Sequence, residues 1–178
     1  MQEKNHTLIR LYEHLREEQI EFYRTGSEFL KNRAVVEFRF DLRSVPFILI
    51  GDFADTEREL VCVAHEAGHI LVFREMDRNL ARDYLCAIFA LQYIGLGKIS
   101  DSGQELVLNV EAQASTRGFS ILQHIGINRE ESVEVANIFS VWYRSYESLC
   151  KREPVNKIRK KIYSIPEMAF LLSELKSL

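Results

Sequence analysis

The chain has 178 residues, of which 23 are Lys or Arg and 26 are Asp or Glu, so its formal net charge is −3. With 47% hydrophobic residues it is too apolar for a disordered chain, and its length fits one domain with a buried core. The small negative charge disfavours sequence-independent nucleic-acid binding, which depends on a basic surface. No uncharged apolar run approaches the ~20 residues that a membrane-spanning helix requires.

The first ten residues and the cysteines bear on the cellular compartment. The segment MQEKNHTLIR lacks the apolar core of a signal peptide. Cys62, Cys86 and Cys150 are odd in number and widely spaced, and they form no CxxC pair. This pattern is typical of reduced thiols, so we expect a cytoplasmic protein without a membrane span.

The predicted elements are mostly helices. Residues 4–24 have apolar side chains at helical spacing, and residues 34–41 and 46–53 are β-branched and aromatic, which predicts two neighbouring antiparallel strands. Thr56 and Glu59 have the spacing of a capping box, which predicts a helix over 57–76. Further helices are predicted over 80–94 with Asn79 as the cap, over 104–125, from Asn128 to about 150, and from 164 to about 176.

These elements predict an α+β fold that is mostly helical, with a small N-terminal β-sheet. No composition shift marks a domain boundary, so we expect one domain over residues 1–178. Residues 154–178 follow Glu153-Pro154 and form at most a helical appendage.

The segment His65-Glu66-Ala67-Gly68-His69 is an HExxH motif. Four residues on a helix turn through roughly 400°, so both imidazoles lie on one face and can reach one zinc ion at roughly 2.0–2.1 Å. Glu66 lies at the edge of that face, where it can contact a water on the metal instead of the metal. The composition of the chain predicts roughly 0.015 chance occurrences of this motif, so coincidence is a poor explanation.

A catalytic zinc ion needs a third protein ligand and one open position. Glu111 is the best candidate, because small residues share its predicted helix face and the two His are themselves separated by Ala67 and Gly68. Two such surfaces allow the helices to approach closely, as a short carboxylate–zinc bond requires. Asp77 and Asp83 remain as alternatives, and Cys62 is a weaker one whose default role is core packing.

The HEAGH sequence in an apolar helix, followed by a helix with an E-x-x-A sequence from Glu111 to Ala114, resembles the gluzincin metallopeptidases. Within that group the chain is most similar to ImmA/IrrE-type proteins, which are small cytoplasmic proteins that act on repressor partners. The resemblance implies that His65, His69 and Glu111 ligate zinc and that Glu66 is the catalytic base. It also implies that the small N-terminal sheet packs against a zincin-like active-site helix and a glutamate helix, and that the substrate is a protein or peptide.

The expected activity is therefore zinc-dependent peptide hydrolysis, with Glu66 accepting the proton of the attacking water. The alternatives are a non-catalytic metal-binding regulatory module and a helical interaction protein without metal.

An extended substrate could pair with strand 34–41 or 46–53, although the second is more apolar and fits a core strand. The oxyanion that forms during hydrolysis needs a hydrogen-bond donor besides the metal. The candidates are His124, Tyr143, Tyr146 and Arg117. The aromatic stripe of Phe139, Trp142, Tyr143 and Tyr146 is interpreted as core packing.

Overall fold

The structure is a computed structural model that describes residues 2–37, 45–91 and 99–150. Five helices and a three-stranded sheet make up this part of the chain, which confirms the mostly helical α+β fold class. The elements in chain order are α1 Gln2–Glu17, β1 Glu21–Arg24, a short 3₁₀ turn Glu28–Leu30, β2 Ala34–Glu37, β3 Phe47–Ile50, α2 Thr56–Glu75, α3 Arg78–Phe89, α4 Asp101–His124 and α5 Arg129–Cys150. The predicted final helix, 164–176, and the appendage 154–178 lie outside the described residues. None of the described helices has an apolar stretch long enough to cross a bilayer.

The sheet has the strand order β1-β3-β2, so β3 is central and β2 lies at an edge. The predicted antiparallel pairing of the second and third strands is confirmed, with Val36 opposite Ile48. The side chains of Ile48 and Ile50 on β3 are fully buried, which confirms the interpretation of residues 46–53 as a core strand. The expectation that this strand could be an exposed edge for a substrate is therefore wrong, because both of its edges are paired.

The prediction of one helix over residues 4–24 is wrong at its C-terminal end. α1 ends at Glu17, and Gln19 has a φ of 55°, which reverses the chain direction. Phe22 and its neighbours then form β1, which pairs in parallel with β3. The apolar residues of 20–23 satisfy both helical and strand patterns, and the open edge of β3 selects the strand.

Two predicted caps differ from those observed, while a third is confirmed. Asp55 caps α2 in place of Thr56, and Asp77 caps α3 in place of Asn79. α4 begins three residues earlier than expected, with Ser100 as its cap. The Asn128–Glu131 capping box is confirmed, since each side chain accepts a hydrogen bond from the other residue's backbone N–H, at 2.9 and 2.8 Å.

The helices α2 and α4 pack against each other along much of their length and carry the residues of the candidate site. Their backbones approach closely at two glycines. A Cβ atom added to Gly68 would lie 2.0 Å from the carbonyl oxygen of Ala114, and one added to Gly118 would lie 2.6 Å from that of Ala64. The close approach predicted from small residues on both helices is therefore present, and it brings the Glu111 side chain to the two His of α2.

Candidate metal centre

His65, His69 and Glu111 form a buried triangle of possible ligands between α2 and α4. The two Nε2 atoms lie 3.2 Å apart, and each is 3.4 Å from Oε2 of Glu111. All three side chains are buried, and Glu111 retains only 1% of its exposure. The structure thus brings together the two His and the acid that the sequence placed first among its candidates.

The dimensions of this triangle fit a metal ion. Ligand atoms at ~2.0–2.1 Å from a tetrahedral centre lie about 3.3–3.4 Å apart, close to the three separations observed. Glu111 Oε2 is buried and has no hydrogen-bond partner among the residues that the structure describes. A buried carboxylate oxygen without a partner is costly, and a cation coordinated by this atom and the two Nε2 atoms would remove that cost.

The electrostatic environment keeps Glu111 ionised. Burial alone would raise the pKa of its carboxyl, but the neighbouring rings of His69 and His65 outweigh burial and lower the pKa to about 2. The hydroxyl of Tyr84 donates a hydrogen bond of 2.8 Å to Glu111 Oε1. Oε1 is thereby occupied, and Oε2 is directed towards the His pair.

Tyr84 is a positioning residue that sequence reasoning missed. It lies on α3, and its ring packs against Phe73 with a centroid separation of 5.3 Å. No local spacing connects Tyr84 with Glu111, so only the packing of α3 on α4 reveals the contact.

We expect Tyr84→Phe to weaken metal binding by about 10-fold, because partners that orient metal ligands contribute about 10–100-fold to affinity. The ring packing is preserved in this variant, so the loss would come from the hydroxyl. Competition with a chromogenic chelator measures the affinity. Tyr23→Phe, at an exposed position on β1, is the matched control, and equal affinities for all three proteins would contradict the role of Tyr84.

Glu66 lies beside the triangle and is not part of it. Its Oε2 accepts a hydrogen bond of 3.0 Å from the backbone N–H of Val36 on β2. Burial raises the pKa of the Glu66 carboxyl to about 7, although His65 opposes this effect. A carboxyl group with a pKa near neutrality can both accept and release a proton at physiological pH.

An open groove of about 500 Å³ gives access to this side of the site. His65 and Glu66 contribute to its lining, and Trp142 and Tyr146 of α5 line it as well. The Trp142 ring also contacts His65, with centroids 5.3 Å apart. Phe139 is buried in the core, as expected, and Trp142 and Tyr146 are partly buried and pack against the core as well. These two side chains also line the groove, a second role that the sequence did not predict.

The competing ligand candidates lie elsewhere. Asp77 accepts a hydrogen bond from the backbone of Asn79 as the cap of α3, and Asp83 is exposed beside Arg82. Neither belongs to the triangle. Cys62 lines the groove and does not belong to the triangle either. Burial raises the pKa of its thiol to about 11.

Of the four oxyanion candidates, Tyr146 lines the same groove as Glu66. Arg117 forms an ion pair of 2.7 Å with Glu75, and the exposed His124 packs against His14. Tyr143 lines a separate surface depression, with Ser115 among its other residues. The structure therefore favours Tyr146 over the other three.

Comparison with known proteins adds no family assignment. No protein-family model, curated protein or solved structure matches the chain. The resemblance to gluzincins and ImmA/IrrE-type proteins thus stays a prediction that depends on the motifs. The functional argument below depends on the site itself.

Proposed function

We propose that the protein is a zinc-dependent peptidase in which His65, His69 and Glu111 hold the metal and Glu66 acts as the general base. The observation that carries the proposal is a triangle of three ligands with tetrahedral spacing beside an acid that is not itself a ligand. Structural zinc sites have four protein ligands, whereas catalytic sites have three and an open position. Within the described residues, three are present.

A bound zinc ion supplies a Lewis acid that polarises a peptide carbonyl and makes a water molecule more acidic. Glu66 accepts the proton of the attacking water as the new C–O bond forms. The same carboxyl then donates the proton to the leaving nitrogen as the C–N bond breaks. Tyr146, which lines the same groove as Glu66, is the candidate donor to the developing oxyanion.

The edge strand β2 offers a backbone surface for an extended substrate. Its register directs the N–H group of Ala34 and the C=O groups of Ala34 and Val36 away from β3. The N–H of Val36 has the same direction and already donates to Glu66. Ala34 lines the groove, and Val36 contacts Glu66. A peptide added to this edge would pass along the groove beside the proposed base.

The test of the proposal is metal-dependent cleavage of a synthetic peptide library. We expect about one zinc ion per chain, cleavage by the loaded protein, none after chelation, and recovery when zinc returns. At zinc concentrations about 1,000-fold above the dissociation constant, binding adds ~4 kcal/mol to the free energy of unfolding, which corresponds to an increase in Tm of roughly 10 °C.

Matched variants identify the ligands. Glu111→Ala should lose both zinc and the increase in Tm, whereas Asp83→Ala, at an exposed acid outside the triangle, should keep both. Stoichiometric zinc without cleavage of any peptide would favour the alternative of a non-catalytic metal-binding module. Absence of zinc from the wild-type protein under loading conditions would contradict both the peptidase and the metal-binding module.

A further inference from the structure

The groove continues beyond the proposed catalytic residues towards two arginines on different elements. Arg58 lies on α2, two turns before Glu66, and Arg33 directly precedes β2. Both are exposed, and both line the groove with His65 and Glu66. Arg33 and Arg58 therefore line one groove from two different elements, and the neighbouring Asn32 side chain accepts a hydrogen bond from the backbone of Ala54, just before α2.

Among the residues that the structure describes, no carboxylate neutralises either arginine. No ion pair joins Arg33 or Arg58 to a carboxylate within residues 2–37, 45–91 and 99–150. The guanidinium of Arg58 lies beside the Cys62 thiol, where it opposes the rise in the thiol pKa that burial causes. Both positive charges are therefore available to a ligand in the groove.

The charge of the groove differs in sign from that of the whole chain. Its described lining contains the two arginines and one acid, Glu66, while α5 contributes uncharged side chains, Trp142, Ser145, Tyr146 and Leu149. The chain as a whole carries −3. A local positive field in an acidic protein favours negatively charged ligands at this place and repels them elsewhere.

The spacing along both walls gives the position of the expected negative charge. Eight residues of α-helix separate Arg58 from Glu66, a rise of ~12 Å. Three residues of extended strand separate Arg33 from Val36, whose N–H contacts Glu66, a distance of ~10 Å. An extended peptide covers such distances in about three residues.

We propose that the groove selects peptide substrates with an Asp or Glu side chain about three residues from the scissile bond, bound between Arg33 and Arg58. This inference rests on the proposed peptidase function and adds its substrate class. Guanidinium groups bind carboxylates through charge-assisted hydrogen bonds, which gives the selection a chemical basis.

The experiment begins with the zinc-loaded full chain and a synthetic peptide library, with cleavage sites read by mass spectrometry. Acidic residues should be enriched about three positions from the cleaved bond, on one side of it. For a matched pair of peptides with Glu or Gln at that position, we expect kcat/KM to favour Glu by about 10-fold. Higher salt should reduce this ratio, because it screens exposed charges.

Substitutions assign the preference to the two arginines. The double variant Arg33→Gln with Arg58→Gln should bring the Glu-to-Gln ratio of kcat/KM close to one. Arg58→Glu should instead favour a peptide with Lys at that position. Arg78→Gln with Arg129→Gln removes the same total charge at exposed positions outside the groove lining and should leave the ratio unchanged. Zinc content and circular dichroism confirm that each variant is folded.

The outcomes separate this inference from the peptidase function. Cleavage without an acidic preference, or a preference that survives the double Gln variant, would overturn the inference and leave the peptidase function standing. If the wild type cleaves nothing, binding to an array of the same peptides decides: arginine-dependent enrichment of acidic peptides would support the groove selectivity while removing the peptidase function. No enrichment would overturn both.

Discussion

Glu66→Gln is expected to reduce peptide hydrolysis by about 10³-fold while zinc binding stays near the wild-type level. General acid–base catalysis contributes ~10²–10⁴-fold, and the amide cannot accept the proton of the attacking water. The shape of the side chain is conserved, and its carbonyl oxygen can still accept the hydrogen bond from Val36. Glu66 is not among the three ligands of the triangle, so the metal should remain bound.

Initial rates on a library-derived peptide and zinc content measured on the same preparation test this prediction together. Glu105→Gln, at an exposed position on α4, makes the same chemical change outside the site and should leave both values unchanged. Equal hydrolysis by wild type and Glu66→Gln would remove Glu66 from its proposed role and would point to a contaminating peptidase. Loss of zinc from the variant would instead place the glutamate among the residues that hold the metal.

Gly68→Ala is expected to lower the free energy of unfolding by at least ~2 kcal/mol. The added methyl group would lie 2.0 Å from the carbonyl oxygen of Ala114 and 2.9 Å from the backbone nitrogen of Gly118. These are backbone atoms of α4, so relief requires the whole helix to move, at a cost that typically reaches ~3 kcal/mol. The better helix propensity of Ala returns ~1 kcal/mol of this cost.

The same displacement of α4 should move Glu111 away from the His pair, so zinc affinity is expected to fall together with stability. Chemical denaturation of the metal-free protein and chelator competition measure the two effects separately. Gly26→Ala is the matched control, because a Cβ atom there has no heavy atom within 4 Å. Wild-type stability in Gly68→Ala would show that the two helices do not approach as closely as described.

Sequence patterns correctly predicted the features that depend on residues close together in the chain. The spacing of four residues places His65 and His69 on one face of any α-helix, because the helix turns through 100° per residue. The capping box of Asn128 and Glu131 depends only on backbone groups within one turn. The small residues of α2 and α4 likewise predicted that the two helices approach closely. The short distance between Gly68 and the backbone of Ala114 confirms this prediction.

Tertiary structure decided whatever depends on residues far apart in the chain. Many acids could have supplied the third ligand, and only the packing of α4 on α2 brings the Glu111 oxygen to within 3.4 Å of both imidazoles. The residues of β1 were predicted as helix because their apolar pattern is compatible with a helix and with a strand. Pairing with β3 selects the strand. Tyr84 on α3 and Arg33 before β2 lie on other elements, and no spacing in the sequence connects them with the motif. The sequence by itself therefore determined a helix with two imidazoles on one face, because that depends on helix geometry alone. Tertiary packing determined which carboxylate lies beside them, which hydroxyl supports it and which groove lies along this side of the site, because these depend on contacts between distant residues.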